Sequence, residues 1–129
     1  MVQFNQVMPA LKTNDLQDTI GFYTDHLGFT LCWRSSLNGR GETCMLDAGK
    51  ASILFSTGAH LGDSPLLSGT LDFNIDGVDA YYEQVKGRVE IVWPLEVMSY
   101  GTREFGIRDD KGYTLAFAEE VDEAKGAGH

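Results

Sequence analysis

The chain has 129 residues and a formal net charge of −9, with 43% hydrophobic and 22% charged residues. That length and composition suit one globular domain with its own core. They exclude the basic footprint that nucleic acid or an anionic membrane requires, and no apolar run approaches the ~20 residues of a membrane-crossing helix. Residues 1–12 show no basic stretch followed by an apolar one, so the expected location is cytoplasmic. The acidity suits a cationic ligand or serves solubility alone. Cys32 and Cys44 stand outside any CxxC pattern, and two reduced thiols are expected over a disulfide.

Residues 6–12 read as a short extended run. Asn14 is placed as an N-cap, with Gln17 three residues on as in a capping box. Leu16, Ile20, Tyr23 and Leu27 follow at helical spacing, and Gly28 ends the helix. Strands are expected over 30–34, 43–47 and 51–56, separated by the turn sequences Asn38-Gly39-Arg40-Gly41 and Ala48-Gly49-Lys50. A polar loop over 57–69 carries Pro65. The pattern then restarts. A strand over 70–75 leads to Asp76 as the cap of a helix carrying Val78, Tyr81, Tyr82 and Val85, with Gly87 after it. Strands over 90–93, 103–108 and 114–118 follow, the last two joined by Asp109-Asp110-Lys111-Gly112. Strand, helix and three strands thus occur twice, in units of about 55 residues. The expected organisation is one domain over 1–122, built of modules at 5–57 and 70–119 with a linker at 58–69, and a flexible tail over 123–129.

Side chains alternate faces along a strand, so each strand presents one apolar and one mixed face. Leu71, Phe73 and Ile75 oppose Thr70, Asp72 and Asn74. Ala51, Ile53 and Phe55 oppose Ser52, Leu54 and Ser56. Leu115 and Phe117 oppose Thr114, Ala116 and Ala118, and Val7, Pro9 and Leu11 oppose Met8, Ala10 and Lys12. The two helices are expected to cover the apolar faces, leaving the mixed faces to solvent or to a concave site.

The run over 14–29, with Asp15-Leu16, Phe22-Tyr23 and Leu27-Gly28-Phe29, closely resembles the first helix of the vicinal-oxygen-chelate superfamily, the group of glyoxalases, bleomycin-resistance proteins and dioxygenases. Gly101-Thr102-Arg103-Glu104-Phe105, followed by Arg108-Asp109-Asp110-Lys111-Gly112-Tyr113, looks like that family's final hairpin. The usual Asp-Pro-Asp-Gly there has Asp110 at the proline position and Lys111 at the second aspartate. The resemblance implies an α+β fold in which two βαβββ modules form a cupped eight-stranded mixed sheet, and a homodimer. It places the family's four metal-ligand positions at Met8, near Leu54, at Thr70 and at Ala116. A hard divalent metal wants imidazole and carboxylate, so no metal residue and no cofactor is expected.

These four positions all fall on the mixed faces. The implied cup is lined by Met8, Ala10, Leu54, Thr70, Asp72, Asn74 and Ala116, mostly apolar with a few polar handles. Asp72 is expected either to anchor a cationic or hydroxylated ligand or to pair with Lys12 or Arg103. Trp33, Trp93, Tyr100 and Phe105 offer flat faces to an aromatic ligand, or else pack in a core or dimer contact. Glu104, Asp72 and His60 are the candidates for acid–base chemistry, while His26 and His129 read as solvated or cap residues. The first functional reading is a metal-independent protein that binds a small cationic or aromatic toxic compound. The second is a lyase, isomerase or dioxygenase with a relocated or absent metal site, and the third a non-catalytic structural or regulatory module.

Overall fold

The computed structural model describes residues 2–36 and 41–121. Residues 38–40 of the expected first turn, the tail over 123–129 and His129 with it lie outside the described residues. The chain divides into two compact units, Met1–Pro65 and Leu66–His129, with the boundary inside the expected linker.

In the first unit, α1 (Leu16–His26) buries Leu16, Thr19, Ile20 and Tyr23. That spacing is the stripe a helix lays on a sheet. Tyr23 is fully buried, with its ring 5.2 Å from Phe29 and 5.1 Å from Phe55. Gly28 adopts φ 79°, and the Phe29 N–H then turns back to the Tyr23 carbonyl at 3.0 Å. The cap is Asp15, one residue later than expected: its carboxylate accepts from the Asp18 N–H at 3.0 Å. Thr13 sets this phase. Its hydroxyl contacts Asp15 backbone and the Thr19 hydroxyl, the latter at 2.8 Å and buried.

The sheet beneath α1 has the order β1-β4-β3-β2. It comprises β1 (Ala10–Lys12), β2 (Thr30–Ser36), β3 (Glu42–Ala48) and β4 (Ala51–Ser56). β1 runs parallel to β4 and the other pairs are antiparallel. The first strand covers only three of the seven residues expected. Pro9 has no N–H to donate, and Val7, expected on an apolar face, is 94% exposed. Both cysteines are free, Cys44 buried and Cys32 exposed on β2.

The second unit repeats the plan with β5 (Thr70–Asn74), α2 (Val78–Val85), β6 (Glu90–Val97), β7 (Thr102–Arg108) and β8 (Thr114–Glu120). The order is β5-β8-β7-β6, with β5 parallel to β8. Asp76 is not the helix cap. Gly77 occupies that position without a side chain, and Glu119 of β8 supplies the carboxylate, accepting from the N–H groups of Gly77 at 3.1 Å and Val78 at 3.0 Å. The last hairpin closes on Asp109, whose carboxylate accepts from the N–H groups of Lys111 and Tyr113. Each unit is therefore one α-helix on a four-stranded mixed sheet, an α+β arrangement.

The helix-facing side of the second sheet is an aromatic cluster. Tyr82 meets Phe105 edge-on at 4.9 Å, Tyr81 meets Phe117 at 5.1 Å, and Phe73 stacks on Phe117 at 5.1 Å. Phe105, expected among the ligand residues, is fully buried in this cluster. It shares a strand face with Ile107 under α2, opposite to Glu104. Phe105→Ala should therefore lower unfolding stability by about 3–5 kcal/mol, read as a shift of the urea midpoint at unchanged slope. A loss under about 1 kcal/mol would contradict its place in the core.

Candidate functional site

A bulge decides which side of each sheet receives a tryptophan. In a regular strand, residues two apart share a face. In β6 the register shifts between Ile91 and Trp93: Ile91 pairs with Ile107, and Trp93 with Gly106. The extra residue turns Trp93 away from the helix side, which is what a bulge does. The first unit repeats this, with Leu31 paired to Leu46 and Trp33 to Met45. The result is a matching row across each sheet on the side away from the helix. The row in the first unit is Ala10, Leu54, Met45, Trp33. The row in the second is Asp72, Ala116, Gly106, Trp93.

The two rows differ in the middle. Leu54 and Met45 fill the first with side chains, while in the second Ala116 carries only a methyl and Gly106 is bare backbone covered by the Trp93 ring. Four strands span three spacings, roughly 14 Å. The space so opened belongs to a cavity of about 610 Å³ on the second sheet. Thr70, Asp72, Phe73 and Asn74 of β5, Ala116 and Ala118 of β8, Thr102 and Glu104 of β7, Trp93 of β6, and Met98 and Tyr100 of the β6–β7 turn line it.

Glu104 is the best-organised group there. It is only 8% exposed. Its Oε1 accepts from the Tyr100 hydroxyl at 2.7 Å and the Thr102 hydroxyl at 3.2 Å. The Met98 N–H to Thr102 carbonyl bond, 2.7 Å, closes the turn that carries both donors. The hydrogen bond to Glu104 raises the Tyr100 phenol above its ordinary pKa, so the phenol stays a donor. Asp72 is more exposed and accepts from the Thr70 hydroxyl at 2.6 Å. Its two expected partners are engaged elsewhere. Arg103 pairs with Asp79, and Lys12 donates to the carbonyls of Thr57 at 2.8 Å and Gly58 at 3.1 Å. Glu104 Oε2 and Asp72 Oδ2 carry no hydrogen bond among the described residues. Among the described residues, two carboxylates and no lysine, arginine or histidine line the cavity.

Of the expected site residues, Thr70, Asp72, Asn74, Trp93, Tyr100, Glu104 and Ala116 meet at this one cavity. Met8, Trp33 and Leu54 belong to the first unit, and Phe105 to the core. His60 is exposed on a 3-10 turn (Ala59–Leu61) of the first unit. Of the residues that line the cavity, sequence reasoning did not single out Phe73, Met98, Thr102 and Ala118. Thr102 lies two residues from Glu104 and so on its face, a signal that alternation does contain. The positions that the family resemblance gives to metal ligands hold a thioether, an isobutyl, a hydroxyl already donated to Asp72, and a methyl. Among the described residues no three His, Cys, Asp or Glu side chains group closely enough to hold a metal. That donor set does not fit a divalent ion.

The sequence model of the Glyoxalase/Bleomycin resistance protein/Dioxygenase superfamily matches residues 3–117. A bleomycin resistance protein from Geobacillus stearothermophilus is 25% identical over 133 aligned positions, covering 90% of this chain and 97% of the relative. Among solved structures, a Glyoxalase/bleomycin resistance protein/dioxygenase superfamily member from Sphaerobacter thermophilus aligns with a TM-score of 0.75 at 20% identity, over 88% of this chain and 94% of that one. The bleomycin-binding protein of Streptomyces verticillus, solved with copper(II)-bleomycin, aligns with a TM-score of 0.68 at 21% identity, over 94% of this chain and all of that one. These structural likenesses carry the fold. Among the described residues no helix is long and apolar enough to cross a membrane.

The Tyr100–Glu104 bond has a pH signature. A folded-state pKa above the unfolded one stabilises the fold below the unfolded tyrosine value of about 10, and this is lost as pH rises through the folded value. Tyr100→Phe should therefore be less stable than the wild type near neutral pH. The gap should close as pH climbs beyond about 10, as measured by urea unfolding at stepped pH. A gap that stays constant across that range would show that Tyr100 acts through something other than this bond.

Proposed function

This chain belongs to the Glyoxalase/Bleomycin resistance protein/Dioxygenase superfamily, and from that premise we propose that it is a metal-independent small-molecule binding protein that sequesters a cationic, aromatic toxic compound in the second-unit cavity. The observation that carries this is the lining itself: among the described residues it holds two carboxylates, each with an oxygen that accepts no hydrogen bond, no basic side chain, and the Trp93 indole. A cation would find charge partners there and an aromatic surface for cation–π contact. The bleomycin resistance and bleomycin-binding relatives support the ligand class. The same reading carries a cytoplasmic location and a homodimer, the latter checked by light scattering.

The two carboxylates are not equal. Glu104 is buried and held by two hydroxyl donors, so a charged hydrogen bond to it is worth about 1.5–3 kcal/mol. Asp72 sits in water, where an ion pair is worth about 0.2–1 kcal/mol. Screening with metal-free bleomycin and with planar aromatic cations should produce a thermal shift, since a ligand at about 100 times its Kd adds about 2.7 kcal/mol of stability. Glu104→Gln should weaken binding by about tenfold or more, and Asp72→Asn by only a few-fold. EDTA should leave the affinity unchanged. Absence of any shift across the panel would remove the binding reading, and loss of affinity on chelation would remove its metal independence.

One observation favours a second reading. A buried carboxylate bonded to a phenol is also an acid–base pair, suited to a metal-free isomerase or lyase. Turnover by such a route should disappear in both Glu104→Gln and Tyr100→Phe, and glyoxalase assays with and without added nickel or zinc test the lyase version.

A further inference from the structure

The cavity depends on a residue that contributes no side chain. Gly106 of β7 pairs with Trp93 and lies buried beneath that ring rather than in the lining itself. A Cβ built there would stand 2.5–2.6 Å from three carbons of the indole's six-membered ring, Cζ3, Cδ2 and Cε2. Real Cβ contacts do not come that close, and what blocks the space is a rigid ring. Gly106 is not among the glycines with positive φ, so the backbone makes no demand for glycine here. The demand is for space alone, because the Trp93 ring lies on bare backbone.

Two further observations bear on that ring. Its Nε1 is buried with no hydrogen-bond partner among the described residues. A buried donor without an acceptor is a cost that packing has to offset, so the ring's position depends on the surface beneath it. The first unit supplies the comparison. There Met45 replaces the glycine opposite Trp33, and Trp33 is 41% exposed.

We propose that Gly106 is the specificity-determining residue of this cavity: by leaving bare backbone beneath Trp93 it holds the indole flat along β7, so that the site selects a planar aromatic cation over a non-planar cation of equal charge. The inference rests on the binding reading above and adds shape selection to it. A methyl at position 106 lifts the indole into the space a planar ligand would occupy. It leaves Glu104 and Asp72 in place for a cation that does not stack.

Two probes of the same charge test it: ethidium, which is planar, and tetrapropylammonium, which is not. The wild type should bind ethidium about tenfold more tightly, the size expected of one stacking contact. Gly106→Ala should erase that preference by weakening ethidium about tenfold, and should weaken tetrapropylammonium less, because that cation loses only part of its cation–π contact and keeps the two carboxylates. Equal binding of the two probes by the wild type would overturn the inference and leave the binding reading standing, whereas binding of neither would remove that reading itself. A ligand-free arm stands apart from both. In a Trp33→Phe background, acrylamide should quench Trp93 more strongly after Gly106→Ala, and unchanged quenching overturns the proposal. If Gly106→Ala fails to fold, Trp93→Leu with Gly106→Ala decides: recovered folding supports the indole as the obstacle, and persistent unfolding overturns it.

Discussion

One extra residue in β6 governs the second sheet's open face. Without it, Trp93 would follow Ile91 toward α2, into a cluster already filled by Tyr81, Tyr82, Phe105 and Phe117. The shift in pairing sends the indole to the other side, onto Gly106. Everything that makes the cavity follows from that reversal. The helix side keeps a closed aromatic core, and the far side receives one large ring that has only a glycine beneath it and an alanine beyond.

The electrostatics follow from the same register. Glu104 stands two residues before Gly106, hence on the same face, and opposite Ala118 rather than a cation. Removing a carboxylate from water costs free energy unless donors replace the water. The β6–β7 turn supplies two, Tyr100 and Thr102, both to one oxygen. On the reverse of β8, Glu119 binds the first N–H groups of α2, tying the helix to the strand that carries Ala116 and Ala118. One strand thus anchors the covering layer with one face and floors the hollow with the other.

Much of this was legible in the residues. Apolar positions at helical spacing locate α1, and alternation in β5 places Thr70, Asp72 and Asn74 together on the open side. The restart of the pattern after residue 69 announces the second unit. What could not be read depends on distance or on irregularity. The Glu119 cap joins residues 42 positions apart, so Asp76 looked like the cap from nearby sequence alone. A bulge has no residue signature in Ile91-Val92-Trp93, and so the row that collects Trp93 with Gly106 was invisible. Phe105 was misplaced for a different reason. Its aromatic character outweighed its phase, although alternation with Ile107 on one side and with Glu104 and Gly106 on the other fixes it in the core.

The paired rows, Ala10–Leu54–Met45–Trp33 and Asp72–Ala116–Gly106–Trp93, also bear on how such a chain changes over generations. The two units share strand order, bulge and tryptophan, so the scaffold is indifferent to whether the middle of the row is full or hollow. Because Gly106 has an ordinary backbone conformation, mutational drift at this position is restrained by its neighbour across the strand rather than by the chain itself. A Cβ gained at 106 would meet the Trp93 ring at 2.5–2.6 Å, so a side chain there and a large ring at 93 compete for one space. The two positions are therefore expected to vary together among descendants of this chain, as one unit of inheritance that separates a hollow module from a filled one.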